Sequence, residues 1–144
     1  SEVRGSREDV IRRFNDAMAK QGFEMVVQAF AAGNLKTLRG LLNDEVFDNF
    51  GAAIERRQES GSTLETTLIG IKSAEILEAR MEGRIAFITL KFISEQVNVT
   101  RDRGGEVIEG DPNHVANVTD IWTFARNTRA RDPNWTLVET RSQN

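Results

Sequence analysis

At 144 residues with a net charge of −3, the chain is the size of one domain and has the wrong charge for a general nucleic-acid binder. It has no cysteine and one histidine, which excludes disulfides and thiolate metal sites and leaves a His-based zinc site short of ligands; no cofactor is expected. No stretch approaches the ~20 apolar residues of a membrane span and there is no signal-peptide core, so a chain beginning at Ser1 without an initiator methionine reads as a processed or excised piece.

The charge is uneven along the chain. Residues 1–39 carry seven Lys/Arg against five Asp/Glu, whereas residues 40–144 carry twelve against seventeen. The N-terminal third is therefore the part least repelled by an anionic surface. Ser6 can cap a helix whose first turn holds Glu8 and Asp9, and Val10, Ile11, Phe14 and Met18 recur at helical spacing. After Gly22 a second stripe runs through Phe23, Val26, Val27 and Phe30 to the stop at Gly33-Asn34. The spacing predicts two helices over 6–21 and 22–32, or one kinked helix. Leu35, Leu38, Leu41 and Leu42 form a short helix. Asn43-Asp44-Glu45 then starts another that carries Val46, Phe47, Phe50 and Ile54 and stops at Gly61.

From Ser62 the pattern turns to strands. Residues 63–79 are rich in Thr, Ile and Leu, Glu82-Gly83-Arg84 is a hairpin turn, and 85–100 is a second long strand. In that strand Leu90, Phe92 and Ile93 point to a bulge or to burial on both faces. Residues 101–113 contain Gly104-Gly105, Gly110 and Asp111-Pro112 and read as a turn-rich connection. Residues 115–125 form a third strand, and 135–140 a short last one. Strands this long must twist and bend. The expected architecture is α+β: N-terminal helices packed on a strongly curved antiparallel sheet of about four strands. This layout resembles the cone-shaped fold of the nuclear transport factor two superfamily, whose helices close over the sheet around an apolar pocket.

Enzymes of that cone fold need proton-transfer groups in the pocket. This chain has no tyrosine, and His114 follows Asp111-Pro112-Asn113 in a turn, where a solvated histidine is the plain reading. Asp120 is the strand acid flanked by large apolar residues. It is either a base for an isomerase- or dehydratase-type reaction or, as buried charges usually are, the partner of an arginine on a neighbouring strand. Most of the eight Phe and two Trp are core by spacing. The candidate lining of an apolar pocket is Phe23, Val27, Phe30, Phe47, Phe50, Ile54, Phe87, Trp122, Phe124 and Trp135; these rings either wall a lipid-sized cavity or fill it. Arg7, Arg12, Arg13, Phe14 and Lys20 have the composition of an interfacial helix, diluted by Glu8, Asp9 and Asp16, with a solvated face packed on its own domain as the alternative. Arg126, Arg129 and Arg131 form a basic rim loop beside Asp132.

Several runs carry a family resemblance. They are Ala29-Phe30-Ala31-Ala32-Gly33-Asn34-Leu35-Lys36-Thr37-Leu38-Arg39-Gly40-Leu41-Leu42, then Phe47 … Phe50 … Ala53-Ile54-Glu55-Arg56-Arg57, Ser94-Glu95-Gln96 and Arg101-Asp102. Asp120-x-Trp122-x-Phe124-x-Arg126 and Asp132-Pro133-Asn134-Trp135-x-Leu137 complete the series. In that order they resemble the C-terminal domain family of the forty-four-kilodalton peripheral subunit of the mitochondrial presequence translocase, and within it the bacterial inner-membrane relatives. The resemblance covers about residues 23–144. It implies a cone-like fold with a large apolar pocket and peripheral association with anionic, cardiolipin-containing membranes through N-terminal helices. Residues 1–21 are then an amphipathic helical segment and 22–144 the translocase-subunit-like domain. The function implied is a non-catalytic adaptor at the cytoplasmic face of a bacterial inner membrane, in a full-length protein that carries a membrane anchor. Its partners would be anionic phospholipid and a protein of a translocation or assembly system, with no nucleic acid. A homodimer through the sheet is a further option.

Overall fold

The computed structural model describes Glu8, Val10, Ile11, residues 14–132 and residues 134–142. Three helices, α1 (Asp16–Ala32), α2 (Leu35–Leu41) and α3 (Asp44–Ser60), precede five strands. The strands are β1 (Thr63–Glu82), β2 (Ile85–Arg101), β3 (Val107–Gly110), β4 (Ala116–Asn127) and β5 (Thr136–Ser142).

The polar residues between the apolar stripes set the helix limits. Asn15, Asn34 and Asn43 each accept a hydrogen bond from the amide three residues on, at Met18, Thr37 and Val46, and so cap α1, α2 and α3. Gly33 and Gly61 close α1 and α3 in the left-handed conformation, at φ 71° and 73°, where a β-carbon would be strained. The first break thus falls at Asn15, one helix runs through Gly22, and Glu8, Val10 and Ile11 have helical backbone before it. Gly22 sits inside this helix at the usual glycine cost of about 1 kcal/mol, facing the Phe124 ring, where a β-carbon would make only an ordinary van der Waals contact. Arg57 secures the far end of α1: its Nη2 donates to the Phe30 and Ala31 carbonyls at 2.8 and 3.2 Å, adding positive charge at a helix C-terminus. The Asn43 cap is tested by Asn43→Ala. The Asn43 amide still reaches the Leu137 carbonyl in that variant, so the loss is confined to the side-chain bond and should be about 1 kcal/mol in urea denaturation.

The antiparallel sheet has the order β1-β2-β4-β5, with β3 beside the far end of β2. The pairing of β2 with β4 runs unbroken from Ile85↔Asn127 to Gln96↔Ala116. β1 instead shifts register three times against β2, at Leu68/Gly70, Ile71/Ser73 and Ile76/Glu78. The bulges therefore lie on β1 and not on β2. Each adds a residue to one strand, which bends the sheet without breaking it. Leu90 and Phe92 are instead buried on the helix-facing side of β2 and Ile93 is half-buried on the other, so burial on both faces is the cause there. The sheet is curled but not closed, consistent with a cone-like α+β fold. β3, a fifth strand, was not expected. It forms because Asp102 accepts the amides of Gly104 and Glu106, turning the chain back so that Val107–Gly110 pairs with β2.

The helices cover one face of the sheet. Phe23 of α1 lies 4.6 Å, centroid to centroid, from both Phe92 of β2 and Trp122 of β4, and all three are buried. Phe14 meets Phe124 and Trp135 at 5.7 and 4.9 Å, and Phe30 meets Phe50 edge-on at 5.2 Å between α1 and α3. Such pairs contribute about 0.5–1.5 kcal/mol each beyond their buried area. Leu42 bridges to Leu137, which ties the end of α2 to β5.

Candidate functional site: an apolar groove beside a basic loop

The aromatic pile ends at the junction of α1, α2 and the start of β5. There the packing leaves a groove of about 380 Å³. Phe14, Phe124 and Trp135 line it from the core side, Met18, Gln21, Gly22 and Met25 from α1, Gly40 and Leu41 from α2, and Asn134 from the β4–β5 loop. Four positions on α1 point the same way because 18, 21, 22 and 25 follow the i, i+3, i+4, i+7 spacing of one helix face. Met18 and Met25 remain 37% and 42% exposed, whereas Phe14 and Phe124 are buried. The groove therefore has a sunken aromatic floor and a flexible thioether mouth.

Of the ten residues expected to line a pocket, Phe124 and Trp135 border this groove. Phe23 and Trp122 fill the centre of the sheet–helix interface with Phe92, so the space beneath the rings is closed by the rings themselves. Val27, Phe30, Phe50 and Ile54 pack between α1 and α3 or against the core. Phe47 is half-buried beneath the Arg39 guanidinium, 3.9 Å from the ring centroid. Phe87 lies across the sheet under Arg80, because it alternates with Ala86 and Ile88, which face the helices. The groove residues not singled out from sequence are Met25, Gln21, Gly22, Gly40, Leu41 and Asn134. Met18 and Met25, seven residues apart and so two helical turns, were the available signal.

The arginines of the expected basic rim lie near groove residues along the chain, though none of them lines the groove. Arg126 stands two residues beyond Phe124 on the same face of β4, opposite Ala86, and Arg129 and Arg131 are exposed in the loop that leads to Asn134 and Trp135. The side-chain nitrogens Arg126 Nε and Trp135 Nε1 are both buried with no acceptor among the described residues. Of the expected membrane-contacting set, Arg7, Arg12 and Arg13 lie outside the described residues. Phe14 is buried against Phe124 and Trp135, and Lys20 is paired with Asp16 at 2.9 Å on the surface of α1.

A second groove, about 450 Å³, opens on the other face of the sheet. Thr89 and Thr123 share a hydrogen bond of 2.9 Å on its floor, beside Phe87 and Val138. Charges of both signs ring it: Glu45, Glu78 and Glu139 against Arg80 and Arg141, with Arg80 held by Glu78 and Glu82. Larger but polar and charge-compensated, it offers less to an apolar ligand than the aromatic groove.

The expected Asp120–arginine pair does not form among the described residues. The strand register puts Phe92 and Ser142 opposite Asp120, and burial pushes its carboxyl up from 3.8 to about 6. Asp120 lines neither groove. His114 is exposed in the turn it shares with Asp111. Among the described residues no cluster of three His, Asp or Glu could hold a metal ion, and no helix is long and apolar enough to cross a membrane.

Comparison with known proteins decides the family. The Tim44-like domain matches residues 11–142, nearly the whole chain. The chain belongs to the Tim44-like domain family. This Tim44-like domain is 24% identical over 121 residues to the probable mitochondrial import inner membrane translocase subunit tin-44 of Caenorhabditis elegans, covering 82% of the chain and 28% of that protein. It is 22% identical over 116 residues to the mitochondrial import inner membrane translocase subunit TIM44 of Homo sapiens, covering 79% of the chain and 26% of that protein. The chain thus spans little more than a quarter of these relatives' length. Among solved structures, the intermembrane space region of the chloroplast protein ARC6 shares the fold, with a TM-score of 0.52 and 13% identity over 94% of this chain and 92% of that one.

Proposed function

We propose that this Tim44-like domain is a non-catalytic adaptor that sits against an anionic, cardiolipin-type membrane and holds a protein partner of a translocation or assembly system, at the cytoplasmic face of a bacterial inner membrane. The observation that carries the reading is the family match over residues 11–142, whose relatives are inner-membrane translocase subunits by name. In this reading the basic residues of the 1–21 segment make the membrane contact, while its apolar residues Val10, Phe14 and Ala19 belong to the core of the body that 22–144 mostly forms. Because Phe14 is committed to the body's own core, the contact falls to Arg7, Arg12, Arg13 and Lys20 as charges. The groove is then left for the protein partner, and the sheet's outer face, with its compensated charges, is the surface on which a homodimer would form. Asp120 and His114, the groups a cone-fold enzyme would need together, stand apart on β4 and in the turn before it, which favours the adaptor over the isomerase or dehydratase alternative.

Vesicle flotation tests the membrane half. Each basic residue near an anionic surface contributes about 1 kcal/mol, and nearby acids reduce this. Replacing Arg7, Arg12 and Arg13 together by Gln should weaken binding to cardiolipin-containing vesicles at least tenfold, and added salt should do the same. Equal flotation with neutral and anionic vesicles, or none with either, refutes it.

A further inference from the structure

The groove and the loop beside it carry three independent features of one kind of ligand. The first is shape: a floor of Phe14, Phe124 and Trp135 lies recessed below the exposed Met18 and Met25. A recess accepts a projecting side chain, whereas contact with a bilayer calls for an apolar face that projects. The second is hydrogen bonding. Trp135 Nε1 and Arg126 Nε are buried donors without acceptors among the described residues, and buried donors in folded proteins are nearly always matched. Both nitrogens are closed to solvent, so an acceptor arriving with a ligand would complete them only with a local shift of the side chains above them.

The third feature is charge. Within 126–134 three arginines stand against Asp132 alone, in a chain whose net charge is −3. Asp132 is itself engaged as the acceptor of the Asn134 amide at 2.9 Å. Arg39, Arg80 and Arg101 are each held by a carboxylate of the domain, but among the described residues Arg126, Arg129 and Arg131 form no ion pair. Guanidinium groups with no ion pair among the described residues are suited to bidentate recognition of carboxylates.

We propose that this groove binds an acidic peptide segment of a protein partner, which seats one large apolar side chain on Phe14, Phe124 and Trp135 and sets its carboxylates against Arg126, Arg129 and Arg131. The proposal rests on the adaptor reading for the existence of a protein partner and is independent of its membrane half. Thioether side chains at the mouth re-pack easily, so the groove selects for charge and for a bulky anchor more than for one anchor's exact shape.

The test is fluorescence anisotropy of a labelled, acetylated peptide of Glu and Ser residues around one Phe, with a Lys-for-Glu counterpart as control. The acidic peptide should bind, with affinity falling as salt rises, and the basic one should bind at least tenfold more weakly. Met25→Glu, at an exposed position that leaves the core intact, should weaken the acidic peptide at least tenfold. Arg126→Gln should weaken it severalfold. Equal binding of the two peptides, binding of neither, or indifference to Met25→Glu overturns the proposal. So does the result in which phosphatidylglycerol vesicles, but not the peptide, are lost on Met25→Glu, since the groove would then face a membrane. The two proposals fail separately. The Arg7/Arg12/Arg13 variant that no longer floats but still binds the peptide carries the groove alone, and flotation without peptide binding refutes the groove alone.

Discussion

Phe23→Ala is expected to destabilise the domain by about 3–5 kcal/mol. Phe23 is fully buried on α1 and stands between Phe92 and Trp122, with both ring centroids at 4.6 Å. These two rings meet each other at 5.6 Å, and Trp122 continues to Phe124 at 6.3 Å, so the pile couples α1 to the two central strands. Removing the ring loses its transfer free energy and its stacking, and the rigid neighbours cannot collapse into the space. With a total stability of roughly 5–15 kcal/mol for an ordinary domain, the variant would be near the edge of folding. Urea denaturation followed by circular dichroism measures the change. Phe23→Leu, which keeps most of the volume, should cost about 1–1.5 kcal/mol. A loss below about 1 kcal/mol for Phe23→Ala would mean that the aromatic pile does not hold the helices to the sheet.

The pile also shows where sequence reading reaches its limit. The helix-then-sheet order, the Asn43 cap, the Gly33-Asn34 and Gly61 stops and the two long hairpin strands are local, and spacing and cap chemistry reveal them. The first helix boundary was misplaced because Phe14 and Met18 continue one apolar stripe across Asn15, while Gly22 looks like a break and is in fact tolerated where it faces Phe124. β3 gave no signal: its four residues are all exposed, so no alternation marks it, and its turn depends on the Asp102 side chain. The aromatic residues of the site were visible as a set. Whether they wall a cavity or fill it depends on distances across α1, β2 and β4, and the register that sets those distances is not written in any one segment. The same register puts Phe92 and Ser142, not an arginine, across from Asp120.

That placement gives the second large effect, which depends on pH. Asp120 is flanked across the sheet by an aromatic ring and a serine, and burial raises its carboxyl from 3.8 to about 6. The folded state therefore holds the proton more tightly than the unfolded chain does. The stability this contributes is fully present below the unfolded value of 3.8 and is lost as pH rises through about 6, where the carboxylate must ionise in place. Taken at full value, the rise from 3.8 to about 6 would be worth roughly 3 kcal/mol. The side chain keeps part of its contact with water, and solvent screening reduces this to about 1–2 kcal/mol. Asp120→Asn preserves the shape and removes the ionisation. It should be more stable than the parent by that amount at about pH 8, with the gain vanishing below about pH 4, where both side chains are neutral. Urea midpoints at the two pH values measure it directly. A variant less stable than the parent at the higher pH would show that the charged form of Asp120 is the one the fold favours, and would restore the arginine pairing that its sequence context suggested.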